Sequence, residues 1–151
     1  MRQLVHEGKK NPLVRHVAVL LTEGIEQKNK FAEIYAVYKF VKDRIRYVRD
    51  IRGVETLHTA ERVLLNKAGD CDDKSLLTAS LLEAIGFKTR FVAVGFSTPK
   101  KSMFGNPVAC GYSHVLAEVF FNNKWIPLET TEPVDIGWFP KKVKSAIISY
   151  N

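Results

Sequence analysis

Directly after Asn11-Pro12, apolar side chains recur at helical spacing: Val14, Val17, Ala18, Leu21 and Ile25. Asn11 suits an N-cap, and Pro12 suits the first helical position, where a backbone N–H would have no partner in any case. Phe31, Ile34, Tyr35, Tyr38, Val41 and Ile45 mark one face of a second helix over 31–46 and read as core. Residues 47–57 read as an irregular or extended connection holding Gly53. A short helix over 60–65 follows, capped by Thr59 and ended by Ala68-Gly69. The next helix starts with Asp70 as N-cap and Asp73 three residues on, a capping box with the shorter acid. Leu76, Leu77, Leu81 and Ile85 give it a broad apolar face, and Gly86 suits the left-handed position that ends a helix. Alternation then takes over. Segment 88–96, rich in Val and Phe, reads as a strand, as do 114–121 and 125–129, with Asn122-Asn123 the turn between the last two. Segment 97–111, with Pro99, Gly105 and Pro107, reads as a mobile loop, and the tail 130–151 has no clear pattern. Helices first and strands afterwards predict an α+β domain.

A chain of 151 residues fits one domain, 1–151, and is long enough to bury about 70% of its unfolded surface. With 46% hydrophobic and 26% charged residues it is neither disordered nor low in complexity. Two cysteines make no disulfide framework, and no apolar leader or membrane-length stretch is visible. The expectation is a cytoplasmic protein, or one carried by a host assembly, without membrane contact. The net charge of +7 is concentrated in residues 1–50, which carry 11 basic and 6 acidic side chains. Those charges are scattered rather than clustered with stacking aromatics, so solvated helix faces are expected and a nucleic-acid partner is not.

Candidate chemistry starts at Cys71, the first residue of the fourth helix. Such a thiol feels the positive end of the helix dipole, and backbone N–H groups there can hold an oxyanion. Flanking Asp70, Asp72 and Asp73 oppose thiolate formation, so a cationic neighbour is required; a small buried hydrophobe is the plainer reading. His114, opening a strand after a flexible loop, is the candidate cation and base. Glu129 enters through parity. A two-residue turn at Asn122-Asn123 pairs Phe120 with Trp125, Leu116 with Glu129 and His114 with Thr131. His114 and Glu129 then share a sheet face one diagonal apart, a spacing of about 7–8 Å. A carboxylate on one imidazole nitrogen fixes the tautomer and stabilises the imidazolium. A zinc site is a poorer reading, because Cys71 and Cys110 form no closely spaced pair.

The order Cys, His, acid on helix, strand and strand resembles the transglutaminase-like family of the papain-like cysteine enzymes. The matching run is Gly69-Asp70-Cys71-Asp72-Asp73-Lys74-Ser75-Leu76-Leu77 through Leu81 to Phe87. The second match is His114-Val115, Glu118-Val119 and Trp125-Ile126-Pro127-Leu128-Glu129. The family commonly has Asp at the last position, so Glu129 departs by one methylene. The resemblance covers 47–140, with a looser helical part at 1–46; the small size and the Gly137-Trp138-Phe139-Pro140 ending look like stand-alone phage and prophage versions.

What the resemblance implies is a papain-like core, its Cys-bearing helix packed on an antiparallel sheet. Cys71 is then the nucleophile, His114 the base and Glu129 the orienting acid in a hydrolase or acyl transferase working through a thioester. The substrate class is peptide or protein, hydrolysis is favoured over transamidation, and no cofactor or metal is called for. The Cys71 N–H supplies one oxyanion donor; Tyr47, His58 and Asn66 are candidates for the second. Trp125 and Trp138 are candidates for a substrate groove, with strand packing the competing reading for Trp125. Cys110 matches no family position. The rival reading is a non-catalytic virion, assembly or binding module with a phage or bacterial partner. At pH 7 a limiting dose of iodoacetamide is expected to modify Cys71 faster than Cys110 in folded protein. Equal rates, read by mass spectrometry of peptides, would make Cys71 an inert core thiol.

Overall fold

The computed structural model describes residues 1–49, 57–96, 113–141 and 143–148. Five helices, α1 (Arg2–Gly8), α2 (Pro12–Thr22), α3 (Lys30–Arg44), α4 (Ala60–Asn66) and α5 (Cys71–Ala84), precede or interleave with β1 (Arg46–Tyr47) and β2 (Ala68–Gly69). The strands β3 (Lys88–Phe96), β4 (His114–Phe121), β5 (Lys124–Leu128) and β6 (Val143–Ile148) follow. The caps are those the sequence offers. Asn11 accepts from Leu13 and Val14 N–H, Thr59 from Arg62 N–H and Asp70 from Asp73 N–H. Lys67 in the left-handed region ends α4, and Ala68-Gly69 pairs in parallel with Arg46-Tyr47 instead of serving only as a stop.

Helix α5 lies at the centre. Every residue from 73 to 82 is buried, because α1, α2, α3 and α4 pack around it while β3 and β4 cover another side. Its polar side chains are satisfied locally: Thr78 Oγ1 donates to Lys74 O at 2.7 Å, and Ser80 Oγ to Leu76 O at 2.8 Å. The sheet is antiparallel in the order β5-β4-β3-β6. Phe91, Ala117, Val119 and Leu128 join the α5 core, while Val92, Val94 and Leu116 form a smaller cluster on the other face under Phe139.

Several expectations change. α1 has no counterpart in the sequence pattern; it is fastened by Arg2 and Lys9, which reach Glu83 of α5 at 2.7 and 3.2 Å. Phe31 and Tyr35 are not core: they are 42% and 44% exposed, and Ile34, Val37, Tyr38 and Val41 form the buried face. Strand β6 emerges from a tail without a legible pattern, and it pairs with β3. The expected 97–111 loop, Cys110 and most of the 47–57 connection lie outside the described residues.

Gly69 positions the cysteine helix by close approach. A Cβ there would meet Asp73 Cβ at 2.6 Å, a contact that backbone or helix must move to relieve. Gly69→Ala is expected to lower stability by about 1–3 kcal/mol in urea denaturation. An unchanged midpoint would mean that the β2–α5 junction is looser than this contact implies.

Candidate active site

Cys71 is the first residue of α5, so its N–H has no partner within the helix. The Asp70 cap fixes that start, and its carboxylate accepts from Asp73 N–H at 3.0 Å. One turn on, Ser75 Oγ donates to Val115 O at 3.0 Å, which ties the beginning of α5 to β4 beside His114. Cys71 is partly exposed, and its Sγ lies 3.9 Å from Asp72 Oδ1.

The β4–β5 hairpin has the two-residue turn, with Asn122 and Asn123 at φ 49° and 60°. Both central residues at positive φ match the twist of the strands, and asparagine tolerates that region. Phe120 opposes Trp125 and Ala117 opposes Leu128, the last pair of the ladder, and Glu129 follows it directly. Glu129 is only 1% exposed. His114 Nε2 donates to its Oε2 at 2.6 Å, while Thr131 N–H and Oγ1 donate to its Oε1 at 2.8 and 2.6 Å. Cys71 lies near enough to His114 to favour its protonated ring. With Nε2 engaged by Glu129, Nδ1 is the nitrogen left for sulfur.

These contacts set the charge of the pair. Burial disfavours the imidazolium, but the hydrogen bonds and negative charge of Cys71 and Glu129 outweigh it and carry the His114 pKa from 6.5 to about 10. Burial likewise opposes the Glu129 carboxylate; the hydrogen bonds from His114 and Thr131 prevail and hold it below 4.5.

The structure brings Cys71, His114 and Glu129 together, and the other candidates divide. Tyr47 pairs with Gly69, two residues before Cys71, and is 47% exposed. Partial burial and then the charge of Cys71 raise its phenol pKa above 10.0. His58 is committed elsewhere: its backbone N–H and Nδ1 both donate to the buried Asp73 carboxylate, at 2.8 and 2.7 Å. Asn66 is the exposed last residue of α4. Trp125 stacks on Phe120 at 5.1 Å and under Arg90 at 4.3 Å, beside the hairpin turn and so at the far end of β4 from His114. Trp138 is 39% exposed, on a segment pinned to β5 by Gly137 N–H donating to Pro127 O at 3.0 Å.

One member of the cluster escapes a motif search: Thr131 is found only by asking what donates to the second carboxylate oxygen of Glu129.

Because the folded pKa of His114 lies above its ordinary value, its contribution to stability is complete below about pH 6.5 and disappears as pH rises toward 10. Nuclear magnetic resonance of the ring is expected to show a midpoint near 10. Urea midpoints of the wild type, relative to His114→Gln, should decline across that window. A ring midpoint near 6.5 would contradict the pairing.

Residues 17–130 match the sequence profile of the Transglutaminase-like superfamily. No curated protein matches the chain in sequence. Among solved structures, one described as "a putative protease" from Parabacteroides distasonis superposes with a TM-score of 0.63 at 14% identity, covering 85% of this chain and 25% of that one. Another, described as "a putative cysteine protease" from Cytophaga hutchinsonii, gives 0.61 at 15% identity, covering 92% of this chain and 52% of that one. The chain therefore spans about a quarter and about half of these two neighbours, and at such identity the likeness is one of fold. Profile match and fold agree with the helix-borne cysteine beside an antiparallel sheet: the chain belongs to the transglutaminase-like superfamily.

Proposed function

We propose that the protein is a cysteine hydrolase acting on amide or ester bonds of peptide or protein substrates, with Cys71 as nucleophile, His114 as base and Glu129 as orienting acid. The observation that carries this reading is the His114 ring, bonded through Nε2 to buried Glu129 and near the helix-borne Cys71. An imidazole with so high a proton affinity is suited to take the thiol proton. The sulfur then attacks the carbonyl carbon, and the oxyanion forms against the Cys71 N–H. His114 returns its proton to the leaving amine or alcohol as the C–N or C–O bond breaks, leaving a thioester on Cys71. Water attacks the thioester and gives a proton to His114, an acid leaves, and the thiol recovers its proton.

Glu129 holds the ring so that this proton traffic happens at one place. Of the upstream candidates, Tyr47 is assigned as the second oxyanion donor, because it pairs with Gly69 two residues before Cys71 while His58 is bonded to Asp73. His58, clamped on Asp73, is assigned to holding the approach to α4. Hydrolysis is preferred to acyl transfer because Cys71 is partly exposed and the neighbouring Tyr47 is open to solvent, so water has access to a thioester there. The protease descriptions of the two structural neighbours support peptide substrates.

The test is turnover of a panel of peptide amides and activated esters by wild type, Cys71→Ala, Glu129→Gln and the double variant, with folding checked by circular dichroism. Cys71→Ala should abolish turnover, and Glu129→Gln should reduce it by about 10²-fold or more while leaving a measurable rate. The double variant should be no worse than Cys71→Ala, because members of one unit do not add. Full activity in Cys71→Ala would end the cysteine mechanism; additive losses would move Glu129 into substrate binding.

A further inference from the structure

Glu129 has two carboxylate oxygens, and the proposed reaction uses only one of them. Oε2 accepts from His114 Nε2 at 2.6 Å. Oε1 accepts twice from a single residue, from Thr131 N–H at 2.8 Å and from Thr131 Oγ1 at 2.6 Å. The last torsion of a glutamate is broad and roughly two-fold, so the side chain by itself does not fix the plane of its carboxylate. Two donors on Oε1 do fix it, and both favour the ionised form of a group that is otherwise buried.

Thr131 does not owe its place to the carboxylate alone. The chain beyond β5 is fastened at Val134, whose carbonyl accepts from the Tyr38 hydroxyl at 2.7 Å and from Lys42 Nζ, both on α3. Tyr38 is buried. Three residues further on, Gly137 N–H donates to Pro127 O at 3.0 Å, which brings the chain back to β5. Thr131 therefore sits between the end of β5 and a loop anchored on α3. It is a donor with a fixed position rather than one that follows Glu129.

We propose that Thr131 is a positioning residue: its two bonds to Oε1 lock the Glu129 carboxylate so that Oε2 stays on His114 Nε2 and the ring keeps Nδ1 for the cysteine through both proton transfers. The inference rests on the roles given above to Cys71, His114 and Glu129. When the ring gives up its proton to a leaving group, the positive charge that drew Oε2 to Nε2 is gone, and a carboxylate free to turn would let the ring tilt. The bonds to Oε1 are untouched by that change, so the ring is in the same place when the proton returns. Thr131 acts through the acid.

Thr131→Val removes the hydroxyl and keeps both the N–H and the shape. On the best substrate of the peptide amide and activated ester panel, kcat/KM is expected to fall by about tenfold in Thr131→Val and to recover to within about twofold in Thr131→Ser. The Glu129 carboxyl midpoint, followed by the carbon resonance of labelled glutamate, should rise in Thr131→Val, because a donor to the ionised form is lost, and return in Thr131→Ser. That midpoint needs no substrate. Circular dichroism checks folding, and Thr131→Ala is read in the same way if the valine variant is unfolded. An unchanged midpoint or undiminished turnover in folded Thr131→Val would overturn the inference and leave the cysteine mechanism standing. So would a loss that serine does not restore, which marks a packing role for the methyl group. Full activity in Cys71→Ala would overturn the mechanism, and with it the function assigned to Thr131, even where the midpoint moves.

Discussion

The site depends on the register of one hairpin. Side chains alternate across a strand, so a single-residue slip between β4 and β5 would send Glu129 to the opposite face from His114. The Asn122-Asn123 turn prevents that slip, with both residues in the left-handed region. The ladder it starts runs from Phe121–Lys124 to Ala117–Leu128. Beyond its last pair, Glu129 is buried, bonded to His114 and closed off by Thr131. The acid is therefore held by backbone geometry first and by hydrogen bonds second. Thr131 N–H and Oγ1 take up the second oxygen of Glu129 and fix its longer side chain.

The cysteine reaches the same point by a different route. Asp70 ends the extended β2 segment and starts α5, and Gly69 lets Asp73 approach closely enough for the turn between them to be tight. Ser75 then fastens the first turn to Val115. Around α5 four helices and two strands compete for contact, and its buried Lys74, Ser75, Thr78 and Ser80 are tolerated because each bonds a carbonyl, while Asp73 accepts from His58. Lys74 is the extreme case, a charge whose stem fills the core while its ammonium ends α3.

Local signals made much of this legible. Asp70 as a cap, Gly86 beyond the helix, the Asn122-Asn123 turn and the alternation after it are all short-range, and they fix the helix start and the hairpin parity. Features created by distant contacts were not legible. Helix α1 has seven residues and no side-chain cap; the Arg2 and Lys9 bonds to Glu83 that hold it span 81 and 74 positions. β6 is a strand because β3 offers it an edge. Phe31 and Tyr35 share a helical stripe with Ile34 and Tyr38, yet the neighbours of α3 cover only part of that stripe. Trp125 looked as much like a groove residue as a packing one until its place beside the turn was known. The burial of Lys74 follows from α5 being enclosed on all sides, which periodicity alone does not reveal.

The proposed chemistry predicts one species that no binding module forms, an acyl group on sulfur at Cys71. Mixing the protein with an activated ester, quenching in acid and mapping the peptides by mass spectrometry looks for it directly. The expected result is an acyl adduct on Cys71 that hydroxylamine removes and that Cys71→Ala never forms. Acylation spread over surface lysines, equal in wild type and Cys71→Ala, would contradict a cysteine mechanism.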